Sequence, residues 1–260
     1  VEDLMKGKAS PSFKSLDRAL AILSSFSFSH PQRTASEIAL CTSIPKSTVH
    51  RFLKVFVEHG FLKETTSPGY FAPGLKLLEL GSIVHHSLDI RLCAQPIMAA
   101  LAKKVHITVH LVIRDRDEGV YVEKVEPEGQ HIHYSHIGKR IPLYCTAAGK
   151  VLLSELPDSK ILEIIAFPLI SLTPYTIKTK EKFLQEIDNV RKRGWAEDNQ
   201  ELELGLCCVA VPVKDHLGKI VAAMSSSGVE GAFTSEAKKR LVEGLRIASL
   251  DVSKRLGYRE

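Results

Sequence analysis

The stretch Pro45–Glu58 sorts its side chains by chemistry. Projected as a helix, it places Ser47, Arg51 and Lys54 on one face, Thr48 and His50 at the flanks, and Val49, Phe52, Leu53, Phe56 and Val57 opposite. Short hydroxyls and cations on one helix face are what base edges and phosphates of a DNA major groove require. Lys46 adds a cation at the helix start, and from Ile44 to Lys63 the basic Lys46, Arg51, Lys54 and Lys63 face only Glu58. An ordinary amphipathic helix with a solvated face would read the same way, so the neighbouring elements must decide.

A second group with chemical potential is histidine-rich. His131 and His133 alternate onto one strand face, His136 follows, and with Cys145 or Cys208 alongside they would suit zinc or another soft metal. Histidines on an exposed strand need no ligand role, and no metal or cofactor is expected. A metal- or thiol-dependent enzyme or sensor carrying a DNA-binding appendage is the competing reading. Against it, the chain has no GxSxG elbow, HExxH, P-loop or dinucleotide fingerprint.

The elements around the polar helix favour DNA. Leu16, Ala19, Leu20, Leu23 and Phe26 predict a helix over Leu16–Phe26, ended by His30-Pro31. Thr34-Ala35-Ser36-Glu37 has the form of a capping box and opens a short helix over Ala35–Cys41. Thr42-Ser43-Ile44 is a tight turn, and Pro45 suits the first turn of the next helix. Two short strands, Gly60–Lys63 and Tyr70–Ala72, flank a Pro68-Gly69 turn and form a wing. Capped helix, tight turn, polar-faced helix and hairpin in this order spell a winged helix-turn-helix.

Beyond it, Leu75–His86 reads as a linker helix with more apolar surface than one subunit needs, which predicts contact with a second copy. A helix over Ile90–Lys104 opens a second domain. Strands are expected at His106–Ile113, Val120–Val125, Ile132–Ser135, Cys207–Val213 and Lys219–Ser225, helices at Thr146–Leu153 and Glu181–Gly194, and a closing helix from Thr234 to near Gly257. The fold class is α+β with a mostly antiparallel sheet in the second domain. The expected division is a tail at 1–12, the winged helix-turn-helix at 13–74, the linker helix at 75–89 and the sensing domain at 90–260.

The bulk properties agree with this. A chain of 260 residues, 44% hydrophobic, can bury two cores. Five cysteines without a CxxC pair argue against a disulfide framework or a zinc ribbon. No run of eighteen apolar residues and no signal-peptide pattern are seen, so a cytoplasmic protein without membrane contact is expected. The net charge of +5 is mild, but residues 1–66 carry nine Lys or Arg against six Asp or Glu.

Ser15-Leu16-Asp17-Arg18-Ala19-Leu20 and Ile44–Arg51 resemble the SLDRAL and LPKSTxHR segments of IclR-type regulators. The likeness continues through Gly74–Gly81, Gly138–Leu143 (GxRxPL), Thr146–Lys150 (TAxGK) and Leu204–Val213 (GxRCVAxPV). Six segments in the right order cover almost the whole chain. Departures are Ser43 where the turn often holds glycine, Tyr144 where histidine is frequent and Cys207 where arginine is usual.

The resemblance implies a GAF-like effector domain whose pocket is lined by Thr146, Ala147, Asp198, Cys208, Ser225 and Ser227. Independently, a helix N-terminus near Thr146 offers N–H groups and a positive dipole end to an anion. Ser225 and Ser227, two apart on a strand, point to one face and could hold one carboxylate together, although solvated serines at a strand end are an alternative. Cys208 reads either as a sensor thiol or as an inert buried cysteine. The expected function is a DNA-binding regulator, a repressor, modulated by a small organic acid. Its expected partners are double-stranded operator DNA, that acid, and further copies in a homodimer or tetramer, with RNA polymerase as an additional candidate.

Overall fold

The computed structural model describes residues 14–87, 89–128 and 135–259. The chain divides into two units, Val1–Ser87 and Leu88–Glu260. The expected tail at 1–12 lies outside the described residues.

In the first unit, α1 (Lys14–Ser24) ends earlier than its apolar spacing predicts. Ser25 closes the last turn by donating its hydroxyl to the Ile22 carbonyl at 2.7 Å, and Leu16 and Leu20 stay exposed while Ile22 is buried. A strand that the sequence did not suggest, β1 (Arg33–Thr34), precedes α2 (Ala35–Thr42). Thr34 serves both. It pairs with the wing, and its hydroxyl accepts the Glu37 N–H while the Glu37 carboxylate accepts the Thr34 N–H at 2.6 Å, the capping box expected from the sequence. Ser43 ends α2 in the left-handed region at φ 55°, a conformation that glycine would adopt at lower cost.

Pro45 then occupies the N-cap of α3 (Lys46–Glu58), one position before the first turn. Val49 and Leu53 on this helix are buried against Ile22, Ile38 and Leu62 in one small core. The wing pairs β2 (Leu62–Glu64) with β3 (Tyr70–Pro73), and β1 adds on the far side to give the order β1-β3-β2, all antiparallel. Its turn closes where Tyr70 N–H donates to the Ser67 carbonyl, with Gly69 supplying the positive φ of 79°. The unit ends in α4 (Leu75–Ser87), on which Leu75, Leu78, Ile83 and Val84 are exposed.

The second unit begins with α5 (Asp89–Val105), so the 75–89 linker of the sequence reading falls on α4 and the first residue of α5. The hairpin of β4 (Val109–Asp115) and β5 (Glu118–Val125) turns at Arg116-Asp117, tighter than the expected Asp117–Gly119. Next come β6 (Arg140–Pro142), α6 (Ala147–Ser154), α7 (Asp158–Ile164), α8 (Lys180–Arg193) and β7 (Ala196–Asn199). The long hairpin of β8 (Leu206–Lys214) and β9 (Ile220–Val229) and the closing α9 (Ser235–Arg255) complete it. The pattern gave no warning of β6, α7 or β7, and residues 132–134 of the expected Ile132–Ser135 strand lie outside the described residues.

Six strands form one antiparallel sheet, β6-β5-β4-β9-β8-β7. Alternation along the central strands feeds two cores. Val109, Leu111, Val209, Val211 and Met224 face α5 and α9, whereas Val112, Ala210 and Ala223 face α6 and α8. From Ala147 to Leu153 every residue of α6 is buried, and it packs so closely that a Cβ on Gly149 would meet the Leu143 carbonyl oxygen at 2.3 Å. The central position of this helix fixes its N-terminus above the sheet.

Candidate functional site

On α3 the sorting of side chains holds. Lys46, Ser47, His50, Arg51 and Lys54 are exposed, Thr48 is half-buried, and Val49 and Leu53 anchor the opposite side. Pro45 supplies no side-chain cap, so first-turn N–H groups remain for solvent or for a phosphate at the helix end. The face is polar, cationic and presented on a packed helix with a wing beside it.

In the second unit all six pocket residues of the sequence reading meet around one cavity of about 30 Å³. The sheet supplies four of them through its register. Asp198 on β7 stands opposite Cys208 on β8, and Cys208 opposite Ser227 on β9, giving a polar row across three strands. Ser225 lies two residues on, on the same face; Ser226 between them points the other way and donates to the Thr108 carbonyl at 2.7 Å. The alternative of solvated serines at a strand end does not hold. β9 runs on to Val229, paired on both sides near the serines, and Ser225 and Ser227 are 6% and 4% exposed.

Thr146 and Ala147 come from the start of α6. The Thr146 hydroxyl accepts the Gly149 N–H at 3.1 Å and donates to the Pro142 carbonyl at 2.6 Å, so it caps the helix. What α6 offers the cavity is therefore the N–H groups of Ala147 and Ala148, which have no intrahelical acceptor. Tyr121, Lys139, Leu202 and Glu203 also line the cavity and were missed by sequence reasoning. Lys139 lies within the Gly138–Leu143 segment and Tyr121 on the expected Val120–Val125 strand, whereas Leu202 and Glu203 directly precede the Leu204–Val213 segment. A cavity of this size has room for about one or two water molecules, so an organic guest requires the walls to move.

The electrostatics are dominated by burial. Asp198 is fully buried and its pKa is raised to about 7, chiefly by desolvation and further by the Glu201 carboxylate. Its Oδ1 accepts the Glu201 N–H at 2.7 Å. Glu201 is likewise pushed up by burial, and its carboxylate accepts a hydrogen bond from Lys150, a lysine 1% exposed that also donates to the Glu197 carbonyl at 2.8 Å. Burial and Asp198 raise the Cys208 thiol well above its ordinary range, which keeps it protonated and removes the thiolate a redox sensor would use. Near the row, buried His110 on β4 has its pKa lowered to about 3 by desolvation and bonds Ser135 Oγ at 2.8 Å, so it is neutral.

Two of the departures from the family pattern fall away from the cavity. Cys207 lies on the other face of β8, with its thiol donating to Asn199 Oδ1 at 3.4 Å, and the Tyr144 hydroxyl donates to the Ile170 carbonyl at 2.9 Å. Of the histidine group, His131 and His133 lie outside the described residues, and among the described residues no three His, Cys, Asp or Glu side chains gather as a metal would need.

A winged helix with a cationic face, joined in one chain to an α+β unit with a small cavity beside α6, is the architecture of a two-domain DNA-binding regulator. The chain belongs to the IclR family: residues 15–65 match the IclR helix-turn-helix domain and residues 83–254 the bacterial transcriptional regulator IclR C-terminal domain. It is 34% identical over 249 residues to the HTH-type transcriptional regulator XynR of Escherichia coli (strain K12), covering 95% of this chain and 99% of that one. The HTH-type transcriptional repressor AllR of the same strain is 30% identical over 247 residues, covering 95% and 91%. In fold it matches, with a TM-score of 0.82, an IclR homologue from Microbacterium hydrocarbonoxydans complexed with 4-hydroxybenzoate, at 24% identity over 93% of this chain and 98% of that chain. These relatives are transcriptional regulators, and this chain is a DNA-binding transcriptional regulator and not an enzyme; the enzymatic alternative is not favoured. No described helix is long and apolar enough to cross a membrane.

Proposed function

We propose that this regulator represses its target genes from a double-stranded operator and that a small organic acid, bound in the cavity beside α6, changes its hold on that operator. Lys46, Ser47, Thr48, His50, Arg51 and Lys54 form the reading face, with Arg51 contacting a base edge and Lys46 and Lys54 contacting phosphates. Thr146, Ala147, Asp198, Cys208, Ser225 and Ser227 form the effector site, in which Thr146 acts by capping the helix that presents the N–H groups. The observation that carries the reading is the convergence of two buried serines and a helix N-terminus on one enclosed cavity.

Repression is supported by the name of the relative AllR, and an organic acid by the 4-hydroxybenzoate bound to the Microbacterium homologue. The working form is a cytoplasmic homodimer or dimer of dimers, supported by the exposed Leu75, Leu78, Ile83 and Val84 on α4. RNA polymerase is a further proposed partner at promoters where the operator lies close by. Gel-shift titration of operator DNA with and without small acids tests the whole: affinity that no acid changes removes the sensing half, and absence of salt-sensitive specific binding removes the other.

A further inference from the structure

We propose that the cavity takes up its anionic guest together with one proton, which resides on Asp198, so that the guest carboxylate is met by a neutral carboxyl group. The inference rests on the effector reading above and adds its regulation by pH. Asp198 uses Oδ1 to accept the Glu201 N–H, while among the described residues its buried Oδ2 has no partner in hydrogen-bonding geometry. The buried Oε2 of Glu201 has none either. Among the described residues, two buried carboxylates thus share the buried ammonium of Lys150, which bonds Glu201 and the Glu197 carbonyl.

The remaining groups facing Asp198 do not supply the missing charge. Cys208 on β8 and Cys145 ahead of α6 are thiols held protonated, the latter pushed up to about 12. On its own strand, Glu197 is tied to Lys238 of α9 at 2.7 Å. Lys139 and Glu203, one residue of each sign, line the cavity together with Tyr121 and the two serines. With Asp198 and Glu201 both ionised, a further anion would enter a desolvated site already carrying excess negative charge, at a cost that rises steeply in low dielectric. A proton on Oδ2 removes that charge and turns the unpartnered acceptor of this cavity-lining residue into a donor. The N–H groups of Ala147 and Ala148 at the start of α6 line the same cavity, so one carboxylate would find donors from both the helix and the sheet.

The balance is simple. One proton passes from bulk water to Asp198 Oδ2 as one carboxylate leaves water for the cavity, and no covalent bond changes. Burial already holds Asp198 at about 7 in the free protein. Below that pH the proton is in place and affinity is level; above it, affinity falls about tenfold per pH unit. By reciprocity a bound acid raises the pH at which Asp198 ionises.

The test uses the full chain with acetate, lactate and 4-hydroxybenzoate as probes, titrated calorimetrically in buffers of different ionisation enthalpy from about pH 6 to about pH 8.5, where all three acids stay ionised. The expected result is uptake of about one proton per acid bound at the high end, falling towards zero at the low end. Asp198→Asn keeps the size and a donor but does not titrate, and should bind without proton uptake or pH slope. Binding with no proton uptake above neutral pH, or a slope that survives in Asp198→Asn, overturns this inference alone. Failure of all three acids to bind at any pH overturns the carboxylate-sensing reading and this inference with it. Carboxyl ¹³C titration of the free protein gives an independent reading: an Asp198 midpoint near neutrality is expected, and one in the ordinary aspartate range overturns the inference.

Discussion

The ammonium of Lys150 on α6 donates to the main-chain carbonyl of Glu197 on β7 at 2.8 Å, and through Glu201 it also holds the segment that follows that strand. Thr173 and Thr176 grip the same segment from outside, their hydroxyls donating to the carbonyls of Gln200 and Glu201 at 2.6 and 2.7 Å. The wall of the cavity carrying Asp198, Leu202 and Glu203 is therefore fastened to the helix whose N-terminus faces it. Lys150→Met should cost about 3–5 kcal/mol, because it strands a buried carboxylate. Urea denaturation measures this, and Lys150→Met with Glu201→Gln should recover much of the loss. A single variant as stable as wild type would show the pair to be idle.

Stability should also carry the signature of Asp198. Folding raises its pKa from the ordinary aspartate range to about 7. A raised folded-state pKa gives stability that is complete below the unfolded value and lost as pH rises through the folded one. Between about pH 4 and pH 7, Asp198→Asn should therefore gain on wild type by at most about 1.4 kcal/mol per pH unit. Parallel pH profiles for the two proteins would contradict this.

How much of this was legible in the sequence depended on the range of the forces involved. The capping box at Thr34 and Glu37 and the face of α3 are local and were read correctly, because hydrogen bonds three residues apart and a 3.6-residue period are written in adjacent positions. β1, β6 and β7 were missed. Each has two to four residues and exists only because a distant strand pairs with it, as Asp198 does with Cys208. β9 was cut short at its serines, whose weak strand preference is outweighed by pairing with β4 and β8. The pocket residues were found by family resemblance, but their roles were not: the capping duty of Thr146 and the shared charge of Asp198, Glu201 and Lys150 are long-range facts.

The proposed reading face would make two kinds of contact. Arg51→Ala should weaken binding to the specific operator by about 1–3 kcal/mol and relax discrimination at one base pair. Lys54→Ala should weaken binding to all sequences alike and lower the salt slope by about one. Quantitative gel shifts at several salt concentrations distinguish them. Both side chains are exposed, so neither change should disturb the fold.

The exposed apolar residues of α4 predict how the protein assembles. Leu78 and Ile83 are 66% and 61% exposed. Replacing both with glutamate should shift the protein to monomers in light scattering and weaken operator binding, since one reading helix gives up the second half-site. Half-sites about 34–36 Å apart, or a multiple of that, are expected in the operator. A double variant that stays dimeric would move the interface elsewhere.

The last prediction joins the cavity to DNA. At about 30 Å³ the cavity is too small for an organic acid, so the proposed sensing requires an open form that the acid binds better than the closed one. If the two forms also differ in operator affinity, the acid changes operator occupancy by its differential affinity alone, about 1–3 kcal/mol for a several-fold to hundredfold response. Ser225→Ala with Ser227→Ala removes two hydroxyls from the site without touching the Thr146 cap or the Lys150 tie. It should bind operator as wild type does in the absence of acid and lose most of the response to it. Reciprocally, saturating operator DNA must change acid affinity in the wild-type protein by the same factor that acid changes operator affinity. Thermal-shift titrations of acid with and without operator, beside gel shifts with and without acid, measure both sides. Unequal factors would mean that acid and operator are not linked through one equilibrium, and an undiminished response in the double serine variant would place the effector outside this cavity.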